Sequence, residues 1–257
     1  MTESPWRWHS PVAQLALNDV HGSIDVTQLH VGISNLQVHR RKQLGSILGV
    51  AVSQPDDRAE VRGARLREAY VRGNDLVTKY DDSAGQPIRT TVYWRGQTIV
   101  GQNVSYPAVS LAVSIETDLL DTYPTIQVTS IVKGSETVVV RDLFGEHPVP
   151  NPPDSLIDET GCVTFSDQVL VVYRWVDTNW SYAEMTHPSD FQRLTLFGTG
   201  PQQVDQRAEW RLFGQFLEKG VIRRARLQGV WLPKRDDVPQ ALECYRAFVE
   251  SKIPLTV

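Results

Sequence analysis

A chain of 257 residues, 41 % hydrophobic and 22 % charged, has the composition of a globular protein long enough to bury a core without disulfide support. Its formal net charge of −4 argues against a nucleic-acid partner, because displacing counterions from phosphates needs a cationic surface. The longest apolar runs are only a few residues, far below the ~20 that span a bilayer, so no membrane partner is expected.

The first twenty residues lack a cationic stretch followed by an apolar one, which makes a signal peptide unexpected and a cytoplasmic location the default. Arg40, Arg41 and Lys42 mark a turn. Residues 64–81 read as two β-rich arms around the turn-forming Arg72-Gly73-Asn74-Asp75. A helix over 57–70 is the rival, but Val61, Ala64, Leu66, Ala69 and Tyr70 make a poor helical stripe, so strand is favoured. Further strands are predicted over 88–94 and 109–116, where Val109, Leu111, Val113 and Ile115 alternate with Ser110, Ala112, Ser114 and Glu116. Residues 125–132 and 137–143 are predicted to form a hairpin across Lys133-Gly134-Ser135.

Four prolines within 147–153 cannot occupy a sheet interior, since each lacks a ladder donor. This stretch is read as a rigid crossing within one domain spanning 1–257, the alternative being two halves, 1–146 and 154–257. Strands are expected after it over 162–176, 180–186, 192–197, 208–217 and 220–232. The one predicted helix is C-terminal, capped by Asp236 or Asp237, with Pro239 in its first turn and Val238, Leu242, Tyr245 and Val249 on one face. Cys162 and Cys244, the two cysteines, read as reduced core residues.

Many short strands between Gly, Pro and Asp turns define an all-β fold, a large antiparallel β-sandwich with a single C-terminal helix packed on it. Its length and strand number resemble a supersandwich of the galactose-mutarotase-like kind, as architecture alone, because no sequence motif carries a family match.

The richest stretch is 171–191, VVYRWVDTNWSYAEMTHPSDF. As a hairpin turning at Asp177-Thr178-Asn179, it offers Trp175, Trp180 and Tyr182 to stack on the C–H faces of a sugar, and Arg174, Asp177 and Glu184 to bind its hydroxyls. The rival is plain cross-strand aromatic pairing in a core. Glu184 and His187 are the candidate acid and base. Arg224 and Arg226 share one strand face that suits carboxylates or phosphates, the rival there being surface ion pairs. Glu116, Asp118 and Asp121 fit no calcium-loop spacing, and neither a zinc motif nor a nucleotide-binding motif is present, so no metal and no cofactor are expected. The leading function is therefore binding of a small carbohydrate or similar polar ligand. A sugar-active enzyme, epimerase-like or lyase-like, is the second reading, and a non-catalytic interaction module the third.

Overall fold

A computed structural model describes residues 4–53, 65–81, 88–101, 104–143, 161–198 and 205–252. The proline-rich run at 147–153 lies outside the described residues, as does 57–64 of the stretch read as strand or helix. Strands β1 (Trp6–His9), β2 (Val12–Leu17), β3 (Val20–Asp25), β4 (Ser34–Val38) and β5 (Arg41–Lys42) form an antiparallel sheet in that spatial order. The next strands are β6 (Gly45–Ser53), β7 (Arg65–Arg72), β8 (Asp75–Asp81), β9 (Ile88–Val100), β10 (Ser105–Thr117) and β11 (Thr125–Lys133). They are followed by β12 (Ser135–Val140), β13 (Cys162–Phe165), β14 (Leu170–Trp175) and β15 (Trp180–Thr186). Last come β16 (Phe191–Phe197), β17 (Asp205–Leu212), β18 (Arg223–Pro233) and the helix α1 (Asp237–Glu250).

Eight strands make the large sheet, in the order β12-β14-β15-β18-β10-β9-β8-β7, and five more make another, β13-β16-β17-β11-β6. Every pairing is antiparallel. The main core lies between the inner face of the eight-stranded sheet and the two smaller sheets. It joins Val109, Leu111 and Val113 of β10 to Val128 of β11, Trp210 of β17 and Leu15 of β2. Ile33 and Ile47 bridge the first sheet to the edge strand β6. The all-β sandwich with one C-terminal helix is thus the observed fold.

The predicted hairpin of 125–132 with 137–143 is not formed. Strand β11 pairs with β6 and β17, whereas β12 pairs with β14 in the other sheet. A single residue, Gly134 at φ 66°, separates them, too few for a two-residue hairpin turn. The chain instead changes sheets there, at a corner of the sandwich. The 162–176 run divides in the same way, β13 and β14 belonging to different sheets.

Helix α1 covers the β12-side half of the large sheet's outer face. Val238, Ala241, Tyr245 and Phe248 pack with Leu170, Val172, Ala183, Met185, Val230 and Leu232 in a second apolar cluster. Asp236 occupies the N-cap in the left-handed region, φ 59°, but makes no side-chain capping bond. Asp237 is buried and turned to the sheet: Arg174 donates to its two oxygens at 2.9 and 2.8 Å, and Ser181 Oγ donates at 2.7 Å. Both cysteines are buried and not joined in a disulfide.

Candidate functional site

The β14–β15 hairpin forms as expected, with Tyr173 opposite Tyr182 and Arg174 opposite Ser181. Its candidate residues nevertheless disperse over three environments. Trp175, Tyr182 and Glu184 point into the sandwich, and Tyr182 stacks between Tyr173 and Trp175, with ring centroids 6.0 and 6.4 Å away. Arg174, on the opposite face, holds Asp237 at the start of α1. Trp180 and Asp177 lie at the hairpin's end, beside an open cleft of about 520 Å³ shared with Val38, His39 and Arg41. There the His39 imidazole stacks on the Trp180 indole at 4.3 Å, and Arg41 donates to the Asp177 carbonyl.

Glu184 and His187 are not brought together. Glu184 is fully buried; Tyr182 Oη donates to it at 2.9 Å, Trp210 Nε1 at 2.8 Å, and Ser130 Oγ donates as well. Burial pushes its carboxyl up, against the pull of those three donors. His187 sits past the end of β15 on the helix side. Its Nε2 is 3.3 Å from the Val249 carbonyl, and its ring meets Phe248 edge-on. Burial first, then the charge of Arg226, holds the imidazole below its usual value. The large sheet's backbone separates the two groups.

The arrangement with most chemistry in one place lies on the outer face of the large sheet, where α1 stops covering it. Cross-strand register sets Asp75 of β8, Arg95 of β9, Ser110 of β10 and Gln228 of β18 in one row. The adjacent row is Val77, Tyr93, Ala112 and Arg226. Both rows, Val77 excepted, and the α1 side chains of Cys244, Ala247 and Phe248 line a cleft of about 240 Å³.

Ser110 Oγ accepts from two side-chain amides, Gln97 Nε2 and Gln228 Nε2, each at 2.9 Å. Arg95 grips Asp75 with two bonds, 2.7 and 2.9 Å, and that partner raises the guanidinium's pKa. Burial and the neighbouring Tyr70 push up the Tyr93 phenol, while Arg224, Arg72 and Lys79 pull it down. The Cys244 thiol is pushed up to about 12 by burial and so is no nucleophile at neutral pH.

Of the candidate site residues read from the sequence, Arg226 alone lines this cleft. Arg95, Gln97, Ser110 and Gln228 went unnoticed as a group, since each is one outward position on a different stretch of strand. The available signal was faint: the Ser110–Ala112–Ser114 face of β10 is polar and small, leaving room above it.

Elsewhere, Glu116 and Asp118 both bind Arg89. No described helix is long and apolar enough to cross a membrane.

Neither a protein-family model nor a curated protein sequence matches this chain. Among solved structures, a galactose mutarotase related enzyme from Lactobacillus acidophilus is similar with a TM-score of 0.52 at 10 % identity, over 86 % of this chain and 97 % of that one. A GalM/aldose epimerase homologue from C. elegans is similar with a TM-score of 0.51 at 7 % identity, over 86 % of this chain and 98 % of that one. At such identities the likeness is one of fold, and the fold of this chain is the galactose-mutarotase-like supersandwich.

Proposed function

We propose that this chain binds a carbohydrate in the outer-face cleft. The observation that carries the reading is the hydrogen-bonded cluster of Gln97, Ser110 and Gln228, whose amides and hydroxyl exchange hydrogen bonds readily with ligand hydroxyls. Phe248 and Ala112 beside it offer apolar surface to the C–H face of a sugar ring. The supersandwich fold, shared with proteins named for galactose mutarotase and aldose epimerase, supports a sugar as the ligand class. Binding is placed ahead of catalysis because the one carboxylate among the described lining residues, Asp75, is clamped by Arg95. The neighbours' names favour a second reading, an epimerase-like enzyme acting on an aldose in the same cleft.

Thermal unfolding against a panel of monosaccharides tests both. A sugar at 100 times its dissociation constant should stabilise the fold by about 2.7 kcal/mol, raising the midpoint by several degrees. The shift should shrink in Gln228→Leu and persist in Trp180→Ala. Loss in Trp180→Ala with retention in Gln228→Leu would move the site to the hairpin cleft. Polarimetry of freshly dissolved α-anomers checks the enzymatic reading, which requires faster equilibration with protein than without.

A further inference from the structure

Two buried polar groups in the outer-face cleft have unmet hydrogen-bonding capacity. Arg226 is 6 % exposed and carries five N–H donors, yet among the described residues its side chain makes one hydrogen bond, from Nη1 to the Ser251 carbonyl at 3.0 Å. Its Nε–H is buried with no acceptor among the described residues. Asp190 stands 3.8 Å from that nitrogen, beyond hydrogen-bond range, with one oxygen taking the Arg226 backbone N–H at 2.9 Å and the other the Ser189 hydroxyl at 2.7 Å. Two positions along the same strand face, Gln228 is 2 % exposed and its Oε1 likewise lacks a donor.

The cleft thus presents a guanidinium wanting an acceptor and, from a residue whose Cα is roughly 7 Å along the strand, a carbonyl oxygen wanting a donor. The lining also leans positive: Arg95, Arg226 and Lys252 line it with Asp75, which pairs with Arg95, while Asp190 behind the lining stands 3.8 Å from Arg226. A neutral sugar would supply the hydroxyl for Gln228 but would bring no charged acceptor to Arg226, whose neighbouring carboxylate, Asp190, forms an ion pair at 3.8 Å without a hydrogen bond to the side chain. Charge-assisted bonds to a guanidinium fork are about twice as strong as neutral ones.

From this geometry we propose that the carbohydrate held in the cleft is anionic, its carboxylate or phosphoryl oxygens on Arg226 and a hydroxyl on Gln228 Oε1. The inference rests on the carbohydrate reading above and narrows its substrate class.

Calorimetry on the full chain with D-galactose, D-galacturonate and D-galactose 6-phosphate is the test. At least one anionic form should bind about tenfold or more tighter than galactose, and that ratio should collapse toward one in both Arg226→Lys and Arg226→Gln. A better uronate identifies a carboxylate, and a better phosphate ester a phosphoryl group. Equal binding of all three would overturn the anionic inference and leave the carbohydrate reading standing. An anionic preference that survives in both variants would also overturn it. No binding by any of the three, nor by the wider monosaccharide panel, would remove the carbohydrate reading and this inference together. If both variants fail to fold, ¹⁵N NMR of the wild-type arginine Nε–H groups decides: one buried resonance moves with the anionic sugar but not with galactose, and an unmoved set overturns the proposal.

Discussion

A carboxyl group with no exposed surface sits between the sheets at Glu184, tied to β11 through Ser130 and to β17 through Trp210. Alternation along β11 turns Ser130 inward with Val128 and Val132, and the β6–β11 register shift opposite it lets its Oγ also accept the Leu48 N–H at 3.0 Å. Because burial raises the Glu184 pKa, the folded state binds this proton more tightly than the unfolded chain does. The contribution is therefore full below the unfolded carboxyl value of about 4.3 and is lost as pH rises through the folded value. Glu184→Gln removes the titration. In urea melts from pH 4 to pH 7.5, the stability difference between variant and wild type should move in the variant's favour as pH rises. A difference that stays flat would mean that the three donors, rather than burial, set the charge state. The sequence made the chemistry of Trp175, Tyr182 and Glu184 legible, and alternation along β15 puts Tyr182 and Glu184 on one face. It could not tell that this face turns inward. At β14 and β15 both faces are covered, one by the opposing sheets and the other by α1, so neither shows the polar character that marks a solvent side.

The helix illustrates how an element is fixed by something other than its own cap. Its stripe was readable from spacing, centred in the structure on Val238, Ala241, Tyr245 and Phe248. Asp237 suggested a cap, but its carboxylate instead takes three bonds from Arg174 and Ser181 and so locks α1 onto the hairpin beneath. Asp237→Ala leaves the half-buried Arg174 and the buried Ser181 hydroxyl without their partner and should cost about 3 kcal/mol, read as a lower urea midpoint. Hydrogen exchange should quicken in α1 before it does in β10. If α1 keeps its protection, the apolar cluster alone would be sufficient to hold the helix. The corner at Gly134 was illegible for a related reason: turn residues signal a change of direction, whereas pairing partners are chosen by strands far away in sequence.

The cleft becomes intelligible only across the whole molecule. Arg95, Ser110 and Gln228 sit on three strands of the large sheet, and α1 supplies the wall that makes a sheet surface into a pocket. No window of sequence contains that combination, which is why local motif reading passed over it. The same sheet order has a consequence in time. Strand β18, whose residues 223–230 pair with 108–115, is the central plank between β10 and β15. Without it, the sheet order divides into two halves, whose facing margins β10 and β15 would be unpaired and mostly apolar. Pairings so distant in sequence form slowly, and unpaired strand margins invite sticking between molecules. During refolding, amides of β8, β9 and β10 should gain protection well before those of β15 and β18, and aggregation should be worst in that interval. A synthetic peptide copying 223–233, added in excess, should compete for the vacant slot and slow the last phase. The strand that carries Arg226 and Gln228 is thus also the one that closes the sheet, so a half-assembled molecule has no outer-face cleft.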